Sequence, residues 1–276
     1  MNALPDGGDG PPSLSRTFSP EAVNMSLTTC GLLPARAAEV ARLYRAHGNW
    51  SQVEDVWFGE RRANRSTKAS SRKLYRVLSS RFKSAPASLP NPRTLPDVFD
   101  ACSSPRDRAQ VCYLYLVADD ALVRYVVHEY ARRLAADDAD ALDFSNKTLT
   151  TLLNRFEYAD GTSFDYANST TERWCEGFRS VMREIGALES QQTVVGAPPS
   201  LGETPLLVAM GYSYAEGGDE WVESPVGLQY LLQPSARWTE LYDRVAETAA
   251  WEYVELHGSL QLRPTEGPYA WVGGAE

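Results

Sequence analysis

Four kinds of residue in this chain could do chemistry: three histidines, two clusters of aspartates, a group of hydroxyls and one cation-rich stretch free of acidic residues. His47, His128 and His257 stand far apart, at an expected helix end, within an expected helix and in an expected turn. A structural or solvated role is the expectation for each. Asp119 and Asp120, and Asp137, Asp138 and Asp140, fall at expected helix ends, where carboxylates cap or solvate rather than hold metal. The hydroxyls of SLTTCGLL (Ser26–Leu33) have no base placed beside them by sequence. No GxxxxGK[ST], GxSxG or HExxH pattern occurs. No catalytic residue, metal site or cofactor is assigned, and an enzyme is the least favoured class.

The cations are another matter. Residues 61–83, RRANRSTKASSRKLYRVLSSRFK, hold nine Lys/Arg and no Asp or Glu, in a chain of net charge -9. Residues 16–83 carry 13 basic and 5 acidic side chains, whereas residues 84–276 carry 14 and 29. A basic block inside an acidic chain calls for a local cause, and a polyanionic partner is the simplest. Wound at about 100° per residue, Arg65, Lys68, Arg72, Arg76 and Lys83 fall within about 80° of one another, with Leu74 opposite. Like charges at that spacing oppose helix formation by a few tenths of a kcal/mol per pair, so a bound polyanion would relieve them. Arg65, Lys68, Arg72, Arg76 and Lys83 are therefore candidates for DNA phosphates or base edges, with Arg61, Arg62 and Lys73 flanking them on the backbone.

The stripe needs a scaffold, and the flanking sequence predicts one. Pro34 at a first-turn position and Gly48 at a left-handed cap bracket a helix over 34–47. Ser51-Gln-Val-Glu54 reads as a capping box opening a short second helix. Ser66 or Thr67 caps the basic helix, expected over 67–82, with Leu74, Val77 and Leu78 inward. Three short helices joined by tight turns outline a helix-turn-helix unit.

SAPASLPNPRTLP (84–96) contains four prolines and is the clearest boundary in the sequence. Beyond it the pattern is helical again: from a cap at Ser104 through Val117, over 119–136, over 147–158, and from a second capping box, Ser169-Thr-Thr-Glu172, to Gly186. From Glu189 helical periodicity is lost until 235–248, and WEYVELHGSLQLR (251–263) reads as a β-hairpin with His-Gly at its turn. Residues 189–276 hold 3 basic and 13 acidic side chains, which argues against nucleic-acid contact there.

The expected fold is mainly α. A disordered tail (1–23) precedes a helix-turn-helix-like DNA-binding domain (24–85). A helical bundle (97–190) follows, then a small α+β portion, an acidic C-terminal extension (191–276) with the hairpin. The longest apolar run, Val111–Ala118, is far shorter than the roughly 20 residues a membrane helix needs. The N-terminal MNALPDGGDGPPSLS lacks a basic-then-apolar leader pattern, and no membrane partner is expected. Four scattered cysteines without a CxxC pair fit reduced, mostly buried thiols. A cytoplasmic location is expected.

SLTTCGLL, then Glu39, Leu43-Tyr44, Gly48-Asn49-Trp50, Val53 and a Ser/Arg-rich helix ending Arg81-Phe82-Lys83, resembles the N-terminal pattern of the BrxA family, accessory proteins of BREX phage-defence systems. Leu116–Tyr130 resembles that family's central helices. Ser169-Thr170 with Met182-Arg-Glu-Ile-Gly-Ala-Leu188 resembles its closing motif. The resemblance spans about residues 24–190; the tail and the acidic C-terminal part depart from it. It implies a non-enzymatic helical protein related in fold to NusB-type bundles, binding double-stranded DNA. Its implied partners are the other BREX proteins: a methyltransferase, an ATPase and a phosphatase-like component. The resemblance transfers no contact residues; those named above come from the charge stripe. Two alternatives stay open: a scaffold whose stripe docks an acidic protein surface, and RNA binding in the manner of NusB relatives.

Overall fold

The computed structural model describes residues 23, 25–60, 67–135, 141–218, 221–256 and 259–272. Arg61, Arg62, Arg65, Ser66, Asp137, Asp138, Asp140, His257 and the tail through residue 22 lie outside the described residues.

The mainly α expectation holds: among the described residues are eleven α-helices and two small antiparallel sheets. Helix α1 (Pro34–His47) has the predicted bounds, with Gly48 left-handed at its end (φ 66°), where a side chain would be strained. Helix α2 (Trp50–Gly59) starts earlier than its apparent capping box. Asn49, in extended conformation, caps it by accepting from Ser51 N at 2.8 Å, so Ser51 and Glu54 sit inside the helix. Helix α3 (Lys68–Lys83) is capped as expected by Thr67, whose hydroxyl accepts from Ser70 N at 3.1 Å. Only the α1–α2 joint is a tight turn. Eight residues separate α2 from α3, longer than the three or four of a standard helix-turn-helix, because the first hydroxyl that caps α3 is Thr67.

Helix α4 (Leu95–Ala101) leads into α5 (Pro105–Asp119), capped by Ser104 as predicted. Residues 109–117 of α5 are all buried, and the helix packs against α1, α3 and α6 (Ala121–Ala135). It also packs against α8 (Asn168–Ile185) and α9 (Glu203–Gly217), which makes it the central post of the molecule. Asp120 caps α6, its Oδ1 accepting from Leu122 N and Val123 N at 3.1 and 3.2 Å.

Helix α7 (Asn146–Leu153) is shorter than the predicted 147–158. Phe156 and Tyr158 instead pair across a turn at Gly161 (φ 82°), through Phe164 N to Phe156 O and Tyr158 N to Thr162 O. Helix α8 begins one residue before Ser169, with Ala167 as a cap that makes no side-chain bond, so the second capping box does not act as one. Its end at left-handed Gly186 is as predicted.

The larger departure lies beyond Glu189, where helical structure was not expected before residue 235. Residues Thr204–Ser213 of α9 are buried on every side. A helix buried all round shows no apolar stripe, so periodicity cannot reveal it. Helix α10 (Val226–Tyr230) packs on α9 and α6, and α11 (Trp238–Ala246) follows. Strand β1 (Leu142–Asp143) pairs with β2 (Val195–Gly196), joining the middle of the chain to its C-terminal part. Strands β3 (Trp251–Leu256) and β4 (Ser259–Pro264) form the predicted hairpin, with Trp251 opposite Pro264 and Leu256 opposite Ser259.

The apolar core is continuous across the proline-rich segment. Phe82 of α3 meets Tyr115 of α5 edge to face at 5.4 Å, Leu89 and Pro90 are buried, and the Tyr115 hydroxyl donates to Pro90 O. No described helix is long and apolar enough to cross a membrane.

Candidate nucleic-acid interface

Helix α3 separates its apolar and cationic residues by angle. Leu74, Tyr75, Leu78 and Phe82 are buried, while Lys68, Arg72, Lys73, Arg76 and Lys83 are exposed. The inner side packs on α1, α2 and α5. Tyr75 fixes it to α2 by donating to Trp50 O at 2.9 Å and by ring contacts with Trp57 and Phe58. Burial and the neighbouring Glu54 and Asp55 push the Tyr75 phenol up to about 12, so it stays a neutral donor.

The exposed cations of α3 form no salt bridge with any described residue. Arginines elsewhere in the N-terminal part do: Arg42 pairs with Asp100 and Arg45 with Asp97, tying α1 to α4. Lys83 is the exception within the stripe. Its Nζ sits 5.1 Å from the Trp50 ring centre and 5.9 Å from that of Tyr75, and Trp50 in turn stacks on Tyr44 at 4.2 Å. A cation over two ring faces is held by them, so Lys83 is less free to reach a phosphate than Lys68, Arg72, Lys73 and Arg76.

One basic residue of the block is turned inward. Arg81 is 2% exposed and donates from Nη1 to Gly31 O at 2.9 Å, leaving Nε and Nη2 without a partner among the described residues. Helical projection contains the signal, since Arg81 falls within about 20° of Leu74 at 100° per residue. Around it the segment from Met25 to Leu33 is clamped at three points. Ser26 Oγ donates to buried Asp120 at 3.2 Å, and Leu32 N donates to Glu184 Oε1 at 3.4 Å. At the third, a Cβ on Gly177 of α8 would land on the Leu27 carbonyl oxygen, so only glycine allows that approach. These ties hold Leu33 in a left-handed conformation (φ 51°) as it enters α1, which a non-glycine residue adopts only under constraint. Burial raises the carboxyls of Asp120 and Glu184 above their ordinary range, Asp120 to about 7.

These clamps set the Ser26–Thr28 3₁₀ turn beside α3. The turn and α3 form the walls of an open groove of about 500 Å³. Charge spacing alone gives no hint of this second wall, because its contacts join residues 50 to 152 positions apart.

The remaining candidates do not converge with the stripe. His47 is exposed at the end of α1, and burial lowers His128 on α6 below the usual imidazole range. Ser26 meets a carboxylate, Asp120, and neither described histidine, His47 or His128, is bonded to the pair. Among the described residues no three His, Cys, Asp or Glu side chains come together as a metal would require. Cys102, Cys112 and Cys175 are buried free thiols and Cys30 is half-buried; burial holds the thiols of the first three above their ordinary range.

No family model matches the chain, and no curated protein matches it. A solved structure, titled as an uncharacterized protein from Magnetospirillum magneticum, shares 12% identity with it. That likeness covers 76% of this chain and 98% of the other at a TM-score of 0.54, and it extends to the fold alone.

Proposed function

We propose that this protein binds double-stranded DNA through the solvent face of α3 and acts without catalysis as an accessory component of a BREX-type phage-defence system. The observation that carries the reading is the row of exposed cations on α3 with no carboxylate partner among the described residues. A protein of net charge -9 has acidic side chains available to neutralise such a row, yet none of the described ones pairs with it. At 1.5 Å per residue, α3 is about 24 Å long, and its buried Leu74–Phe82 side anchors it as a rigid rod suited to a groove about 12 Å wide. The resemblance of residues 24–190 to the BrxA pattern supplies the pathway, with the system's methyltransferase, ATPase and phosphatase-like proteins as partners.

A gel-shift salt series tests the reading. Neutralising about five phosphates gives a loss of roughly 10²–10³ in duplex affinity between about 50 and about 200 mM salt. Affinity that is flat across that range contradicts it. An RNA hairpin that outcompetes the duplex transfers the surface to RNA. A partner pull-down that survives nuclease and fails with a charge-reversed α3 transfers it to protein docking.

A further inference from the structure

Phosphates approaching α3 are not offered equal surroundings on its two sides. On one side lies α2, which exposes Glu54 and Asp55 close to Tyr75. A polyanion crossing α2 would meet two carboxylates. On the other side lies the groove formed with the Met25–Thr29 stretch. Its α3 wall presents Lys73, Arg76 and Val77. The opposite wall presents Met25, Thr28 and Thr29.

Most hydroxyls in the groove are already engaged. Thr28 Oγ1 donates to Met25 O at 2.6 Å, Ser26 Oγ to Asp120, and Ser80 Oγ to Asp119 at 3.4 Å. Thr29 is half-buried, and its hydroxyl forms no hydrogen bond with any described residue. Among the described residues, one unengaged hydroxyl therefore faces two unpaired cations across a groove open to solvent. Asp119, which also accepts from Ser84, adds one negative charge to the groove lining.

We propose that this groove seats a backbone phosphodiester of the bound duplex, with Lys73, Arg76 and the Thr29 hydroxyl as donors and Asp119 as an opposing negative charge. The proposal rests on the DNA-binding reading and adds to it the side of α3 along which the strand runs. Charge complementarity selects the occupant: two exposed cations, offset by Asp119, and a neutral donor suit a singly charged phosphodiester. Asp119 repels a second phosphate in the same groove, so one phosphodiester is seated there and the strand leaves the groove rather than follows it. Exposed Arg72 and Lys68, round the helix from Lys73, are left for the rest of the duplex.

The test is fluorescence anisotropy of a labelled duplex against the full chain, in a salt series, with four variants. Lys73→Gln lowers affinity and reduces the salt slope by about one. Thr29→Val lowers affinity roughly ten- to a hundredfold with the slope unchanged, as loss of one hydrogen bond to a charged group predicts. Asp119→Asn keeps an acceptor for Ser80 and Ser84 and tightens binding roughly two- to threefold, a gain that misfolding cannot produce. Arg72→Gln is the reference for the outward stripe. If Arg72→Gln weakens binding while Lys73→Gln, Thr29→Val and Asp119→Asn all match wild type, the groove is overturned and the DNA reading survives. If wild type does not bind duplex at all, the DNA reading falls and the groove falls with it.

Discussion

Asp120 offers the sharpest stability experiment. It is fully buried, caps α6 through Leu122 N and Val123 N, and accepts from Ser26 on the turn that walls the groove. Burial is the largest cause raising its carboxyl from the ordinary 3.8 to about 7. Adjacent Asp119 adds to the rise, while the hydrogen bonds and Arg81 oppose it. Between about pH 4 and about pH 7 the folded protein keeps this proton while the unfolded chain has released it. The folded state then binds more protons, so stability falls as pH rises through that window and levels off above it. At about 1.4 kcal/mol per pH unit, the span from 3.8 to about 7 corresponds to a loss of about 4 kcal/mol. Asp120→Asn keeps the cap acceptor and cannot ionise. Urea unfolding of both proteins, followed by circular dichroism from about pH 5 to about pH 8, subtracts every other titrating group. The expected difference is flat above about pH 7 and below it favours wild type progressively more, by about 1.4 kcal/mol per unit. Wild type and variant running parallel across that range would refute the reasoning.

Two further changes probe how the interface is held. Gly177→Ala puts a methyl group on the Leu27 carbonyl. It should cost about 1–3 kcal/mol in chemical denaturation and weaken duplex binding by displacing the turn, whereas normal stability would contradict the close approach. Thr67→Ala removes the cap of α3 and should cost about 1 kcal/mol. Hydrogen exchange should then rise at the Ser70 amide and in the first turn, and unchanged exchange there would contradict the capping role.

The legible parts of this fold are those written in local residue chemistry. Pro34 and Gly48 bracket α1, Thr67 opens α3, Ser104 opens α5, and the alternation around His257-Gly258 marks the hairpin. The capping boxes at Ser51 and Ser169 misled because Asn49 and Ala167 reach the helix start first. Helix α9 is invisible to periodicity because its Thr204–Ser213 stretch is buried on all sides, and Phe156 lies outside α7 because it pairs with Phe164 across the turn at Gly161. The site divides in the same way. The cations of α3 are a local pattern and can be read directly. The Ser26–Thr29 wall, Arg81 beneath it and the Asp120 and Glu184 clamps depend on contacts far apart in sequence, which only the fold brings together.

The central claim is that the open cations of α3 bind duplex DNA, and the Arg72→Glu/Arg76→Glu double variant addresses it most directly. Both side chains are exposed and outside the core, so the variant should keep wild-type circular dichroism. In a gel shift at about 50 mM salt it should lose duplex binding by at least about 100-fold. A folded double variant that binds duplex as tightly as wild type would contradict the account.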